Sequence, residues 1–321
     1  MKGRASALCL FMIILCSFLL SGCIDGNATG SYPDVDRDGS LPSDIQKRGP
    51  QSDMYPPIIH SSEFEPPVPM PYPINTSGAE DSPFMLPDGN TIYFFFTPDV
   101  RVPVEKQLLD NVTGVWASSF LEGTWSDPQK IWLQDPGKLS LDGAVSIYGA
   151  EMFFASAREG YNGVNIFTAE LVGNEWVNWA YSGDRLMNEI MIGEVHLHGD
   201  DLFFHSDRTG GSGGYDIWVT SRSGGTWSDP INIGPVNTPG MDGFPFISPD
   251  GSELWFTRTY MGTPGIFRSR HVDGTWQGPE LIISQFAGEP TLDAHGNLYF
   301  VHHYYENGVM IEADIYFSSR K

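Results

Sequence analysis

The sequence predicts an all-β fold of five consecutive four-stranded antiparallel units, and three repeating features predict it. Trp125, Trp176, Trp227 and Trp276 recur at intervals of about 50 residues, a period at which one supersecondary unit repeats. An aromatic pair recurs earlier in each unit, as Tyr93-Phe94, Phe153-Phe154, Phe203-Phe204, Trp255-Phe256 and Tyr299-Phe300. A carboxylate opens each unit: Asp81, Asp142, Glu194, Asp242 and Glu289. Three markers in one phase make coincidence a poor explanation. Between them, short apolar runs are separated by Gly, Pro, Asp and Ser, which read as strands joined by tight turns.

The chain opens outside this repeat. Lys2 and Arg4 precede an apolar run from Leu8 to Leu20, and Leu20-Ser21-Gly22-Cys23 follows. The run is too short to span a bilayer comfortably, so residues 1–22 read as an export signal. The cysteines are Cys9, Cys16 and Cys23. The first two leave with the signal, so the exported domain has no disulfide and relies on burial.

Residues 23–74 are rich in Pro, Gly, Ser and Asp and read as a flexible or semi-extended spacer. Within it, Asp34, Asp36 and Asp38 alternate ahead of Gly39, as in the first half of a calcium loop. The twelfth position is Ile45 rather than a bidentate Glu. A weak calcium site and a solvated acidic linker both remain open.

Residues 75–321 form the repeat domain. In the fourth unit, strands fall near Phe244–Ser248, Glu253–Arg258 and Gly265–Arg270. The outer strand contains Trp276 and runs to Ile283. Pro87-Asp88-Gly89 and Pro249-Asp250-Gly251 make hairpin turns in which glycine supplies a positive φ. An open stack would leave sheet edges bare, so closure into a five-bladed β-propeller of four-stranded antiparallel blades is expected. The fifth unit lacks an outer strand. A segment within Ile58–Tyr72 is expected to supply it and close the ring, because an outer strand tolerates proline. Asn75-Thr76-Ser77-Gly78 echoes Asn237-Thr238-Pro239-Gly240. An insertion from Pro98 to Gly114 carries one expected helical turn over Glu105–Asn111.

Phe204-His205-Ser206-Asp207-Arg208, Gly213-Gly214-Tyr215-Asp216-Ile217-Trp218, Trp227-Ser228-Asp229-Pro230, Asn237-Thr238 and Ser248-Pro249-Asp250-Gly251 resemble the WD-like β-propeller repeat of the TolB type. That repeat occurs in exported bacterial and archaeal proteins. The resemblance spans residues 80–321 and is strongest in units three and four. It implies a protein- or ligand-binding platform and no single activity, because the fold hosts binders and enzymes alike. Leu20-Ser21-Gly22-Cys23 resembles the lipobox of secreted lipoproteins, which implies cleavage before Cys23 and a membrane-anchoring lipid on its thiol.

Charge narrows the partners. The chain carries 40 acidic and 18 basic residues, a formal net charge of −22. Such a surface repels nucleic acid and anionic lipid and attracts cations, which excludes nucleic-acid binding.

In a closed ring the five opening carboxylates converge on the axis, where like charges raise some pKa values. Three roles fit them: caps on backbone amides, a cation or ligand site, or acid–base residues. In the last role, Asp81, Asp142 and Glu194 follow the order of base, tuning Asp and acid in five-bladed glycoside hydrolases of the arabinanase and xylosidase type, to whose base motif Asp81-Ser82-Pro83 is similar. That chemistry needs a protonated acid and an ionised base flanking a sugar. Glu194, His196 and His198 alternate and so share one strand face. With a third ligand, His196 and His198 suit zinc; without one they are a packed pair. His302 and His303 are adjacent and face opposite sides. Asn27, Asn75 and Asn111 head glycosylation sequons. No nucleophile elbow or Cys/His pair is present. The sequence therefore points to an exported, lipid-anchored propeller that binds a protein or glycan ligand, with oligomeric state open. A polysaccharide hydrolase is the alternative.

Overall fold

The computed structural model describes residues 31–183 and 194–321. The export signal, Cys23 and Asn27 lie outside the described residues, as do residues 184–193. Among the described residues, no helix is long and apolar enough to cross a membrane.

Two short strands come first, β1 (Ile58–Ile59) and β2 (Val68–Pro69). Antiparallel meanders follow. The first comprises β3 (Ala79–Met85), β4 (Thr91–Thr97), β5 (Gly114–Leu121), β6 (Thr124–Trp125) and β7 (Gln129–Lys130). A short helix, α1 (Val104–Gln107), lies in the insertion between β4 and β5. The second comprises β8 (Ser140–Tyr148), β9 (Glu151–Arg158), β10 (Val164–Val172) and β11 (Glu175–Tyr181). The third comprises β12 (Val195–His198), β13 (Asp201–Ser206), β14 (Asp216–Ser223), β15 (Thr226–Trp227) and β16 (Ile231–Asn232). The fourth comprises β17 (Asp242–Ile247), β18 (Glu253–Tyr260), β19 (Thr263–Val272), β20 (Thr275–Trp276) and β21 (Glu280–Ser284). The fifth comprises β22 (Ala287–Leu292), β23 (Leu298–Glu306) and β24 (Val309–Ser318). A parallel bridge between Ala79 and Ala313 merges the fifth and first meanders into one sheet. The first strands pack in a cycle: β3 on β8, β8 on β12, β12 on β17, β17 on β22, and β22 on β3.

The aromatic pair explains how neighbours cohere. Successive strand residues face opposite sides, so each pair serves two meanders. Phe153 packs with Val195 and Leu202 of the third meander, whereas Phe154 joins the cluster holding Tyr93 and Val115 of the first. Phe203 packs toward the fourth meander and Phe204 toward the second. Phe94, Phe154, Phe204, Phe256 and Phe300 are all fully buried. Each such ring is worth about 2–3 kcal/mol of apolar burial.

Trp176 lies on β11, the outer strand of its meander, as expected, but the other three recurring tryptophans mark a different place. Trp125, Trp227 and Trp276 lie on two-residue strands folded back on the third strand, opposite Phe120, Arg222 and His271. The outer strands β7, β16 and β21 begin directly after Pro128, Pro230 and Pro279. Gly-Thr-Trp is thus a hairpin tip, and the proline that follows separates it from the outer strand.

Residues 31–74 are not a free spacer but an arm laid against the meanders. Arg37 is buried, donates to Glu80 at 2.5 Å, and stacks over the Phe96 ring at 4.5 Å. Lys47 pairs with Glu312 and Asp314, and Asp53 meets His302 at 2.9 Å. Phe64 packs edge-on against Trp255 at 5.7 Å. β1 pairs with β21, and β2 pairs with β24, with Val68 opposite Phe317. The polar composition that suggested a spacer supplies charged partners for buried groups of the domain, which cannot be left unpaired.

Candidate ligand site at the meeting point of the first strands

Four of the five first strands begin with an irregular step. The β3–β4 ladder shifts between Asp81 and Phe84, β8–β9 between Gly143 and Ser146, β17–β18 between Gly243 and Phe246, and β22–β23 between Gly288 and Thr291. The residue after each last regular pair is left-handed: Ser82 (φ 46), Ala144 (φ 49), Phe244 (φ 55) and Glu289 (φ 54). Bulges of this kind re-aim side chains. The aromatic pairing places Glu194 at the same register in the third meander, two residues before His196, which pairs with Phe203. These five residues line one cavity of about 20 Å³, walled by Phe84, His196 and Phe246.

This register corrects the expected ring of five carboxylates, which divides into two sets. Asp81, Glu194 and Glu289 come together. Ser82 Oγ donates to Glu194 Oε1 at 2.7 Å, and the Ser82 amide donates to Asp81 Oδ1 at 2.8 Å. His303 Nε2 lies 3.6 Å from Asp81 Oδ2. Burial pushes the Glu194 carboxyl up to about 7, and the Asp81 charge adds to it. Burial, then Asp81 and then Glu194, raise Glu289 well above the usual carboxylate range. Burial acts the same way on Asp81, but hydrogen bonding and charge from His303 outweigh it and hold Asp81 low. The three carboxyls therefore share too few partners to ionise together. Glu289 Oε2 is buried with no hydrogen-bond partner among the described residues.

Asp142 and Asp242 belong to the second set. Asp142 takes Arg158 at 2.8 Å with hydroxyls from Ser140 and Ser156. Asp242 takes Arg258 at 2.5 Å and the amide and hydroxyl of Thr238. Their counterpart in the first meander is Glu80, held by Arg37 and by the amide and hydroxyl of Thr76. Arg158 also reaches the Leu133 carbonyl and Arg258 the Val236 carbonyl. These carboxylates bind the start of one meander to the loop that leads into it.

Sequence reasoning missed Glu80, Ser82 and His303. The echo of Asn75-Thr76 and Asn237-Thr238 could have found Glu80, since each threonine caps a carboxylate four residues on. The asparagines repeat too. Asn75 bonds both backbone groups of Ile315 at 3.0 and 2.9 Å, and Asn237 those of Ile217 at 2.8 and 2.9 Å.

The metal candidates do not assemble. His196 is fully buried against Phe246, with ring centroids 4.4 Å apart, and burial pushes its pKa down to about 3. His198 packs against Tyr148. Asp36 accepts from the Gly39 amide in its own turn, and Asp38 from the Tyr72 hydroxyl, so Asp34, Asp36 and Asp38 do not converge as a metal-holding set among the described residues. Among the described residues, no three His, Cys, Asp or Glu side chains are arranged to hold a metal ion. His302 and His303 do face opposite sides, toward Asp53 and Asp81.

No protein-family model matches the chain, and no curated protein matches it. Solved structures similar to it include TolB from Acinetobacter baumannii, at 14% identity and a TM-score of 0.46, covering 76% of this chain and 55% of that one. The chain thus spans about half the length of that protein. Putative TolB from Agrobacterium tumefaciens is similar at 17% identity and a TM-score of 0.42, covering 73% of each chain. An endo-arabinase from Bacteroides thetaiotaomicron is similar at 14% identity and a TM-score of 0.47, covering 75% of this chain and 93% of that one. Matches this distant assign no activity.

Proposed function

We propose that the chain is an exported, lipid-anchored, five-bladed β-propeller that acts as a binding module. Its ligand is a protein that docks on the face where Asp81, Glu194 and Glu289 meet. The cyclic packing of the first strands supports the closed ring, with β2 as the outer strand of the fifth blade. The Lys2/Arg4 start, the apolar run and Cys23 support export and lipid anchoring.

One observation carries the choice of binder over hydrolase. Glycoside hydrolysis places two carboxyls about 5–10 Å apart across a sugar. Here Glu194 is tied to Ser82 beside Glu289 at a cavity of about 20 Å³, room for about one water-sized group. Asp142, the middle member of the hydrolase set, is committed to Arg158.

The test places a photo-crosslinking residue at Phe244, beside the cavity, and in a second chain at Val172, on a distant hairpin. Irradiation of cells exporting the protein is expected to give a discrete adduct from position 244 and none from 172. Reducing ends released from arabinan or xylan by the purified protein, and lost in Glu194→Gln, would overturn the reading in favour of the hydrolase.

A further inference from the structure

We propose that the axial cavity is the seat of a primary ammonium group, supplied by a lysine of the docking protein. This deepens the binding-module reading and rests on it. The acceptors are in excess at this point. Asp81, Glu194 and Glu289 face one another with His303 as their one basic neighbour among the described residues. Glu289 is 8% exposed, lines the cavity, and keeps Oε2 without a hydrogen-bond partner among the described residues. A buried acceptor of that kind is costly unless something donates to it.

Size and shape select the donor. A cavity of about 20 Å³ suits a single water-sized group. An ammonium head is of that size and brings three N–H donors. A guanidinium is planar, larger and forked. Calcium asks for about 6–8 oxygens, and no metal-holding set exists among the described residues. The walls fit the rest of a lysine. Phe84, Phe244 and Phe246 line it and offer apolar surface to an aliphatic stem. Glu194, Ala144 and Phe244 are only partly buried, so the cavity can be reached. A net charge of −22 draws a basic partner toward the surface.

Three titratable groups line the site, Glu194 and His196 at β12 and Glu289 on β22; Asp81 on β3 acts on both glutamates and is itself met by His303 on β23. A lysine ammonium stays charged to pH ~10, whereas the acidic cluster gains charge as pH rises. Occupancy therefore increases from pH 6 to pH 8.

The experiment uses the full-length protein in detergent at pH 7.5 and follows its thermal midpoint. The probe is n-butylammonium chloride, a lysine side-chain mimic, against equal ionic strength of sodium chloride. We expect a rise of about 2 °C or more at millimolar probe, reduced several-fold in Glu289→Gln and retained in the off-site variant Asp250→Asn. An end-blocked Ala-Lys-Ala peptide that shifts the midpoint further assigns the group to a polypeptide lysine. Equal shifts assign it to a free amine and overturn the lysine assignment. No shift beyond sodium chloride, an equal shift from n-butanol, or an equal shift from calcium chloride each overturns the proposal. Adducts from position 244 alongside an absent amine response would sink the ammonium site and leave the binding module standing.

Discussion

At the scale of single residues, the acidic cluster makes stability depend on pH in a direction opposite to that of most carboxylates. Glu194 titrates at about 7 when folded, and Glu289 is also raised. Well below pH 4.5, both are neutral in folded and unfolded chains, so they cost nothing. As pH rises through about 7, the folded chain must ionise them against burial, and stability is lost. Asp81 works the other way: its depressed pKa adds stability that disappears as pH falls through it. Unfolding free energies from urea titrations of wild type and Glu194→Gln should be close at pH 4. They should separate by ~2 kcal/mol at pH 8, with the variant more stable. Coincident free energies at both pH values would show that Glu194 is not held neutral. The second acidic set behaves differently because it is paired. Arg37→Ala leaves Glu80 fully buried without its cation and should cost about 3–5 kcal/mol. A joint Arg37→Met, Glu80→Met change should cost clearly less. The two sets could not be separated by sequence spacing. Asp81 and Asp142 both open a meander, yet they stand one position apart in register, and only the bulges at Ser82 and Ala144 reveal it. What the sequence did carry was the threonine cap ahead of Glu80 and Asp242.

At the scale of elements, the second strand of each meander holds the molecule together. Its two rings reach into two different interfaces. Phe204→Ala, at a fully buried site, should destabilise by about 3–5 kcal/mol. Chemical denaturation is the check, and a loss below about 1 kcal/mol would mean that the interface refills. These strands were legible because an aromatic pair alternates faces and needs no long-range information. The hairpin tips were not. Gly-Thr-Trp looks like the start of an outer strand, and its return onto the third strand depends on a backbone turn that composition does not encode. The arm was legible only in part. Prolines at 66, 67, 69, 71 and 73 marked extended chain, but the partners of Arg37, Lys47 and Asp53 lie far along the sequence.

At the scale of the whole molecule, the arm crosses the outer edges of the fourth and fifth meanders, with β1 on β21 and β2 on β24. Glu63 adds ion pairs to Arg268, Arg270 and Arg320. Removing residues 54–73 strips both strands, Phe64 and this carboxylate at once. The thermal midpoint should fall by at least several degrees; an unchanged melt would mean that the meanders do not depend on the arm. Metabolic labelling with an alkynyl fatty acid should mark the wild type and leave Cys23→Ala unmarked. Labelling of both would remove the anchor from this account.

The arm also sets a timetable. Arg48 docks on Glu312, and Asn75 on Ile315, contacts that span 264 and 240 residues. Contacts of such separation form late, because a long loop must be closed before they give any return. While the polypeptide is being synthesised, residues 31–74 have nothing to hold. The early meanders emerge without their last neighbour, and bare edges persist until β24 arrives. Through that interval the newborn chain is open to chaperones and proteases, and a single late event, the docking of its beginning onto its end, ends the exposure.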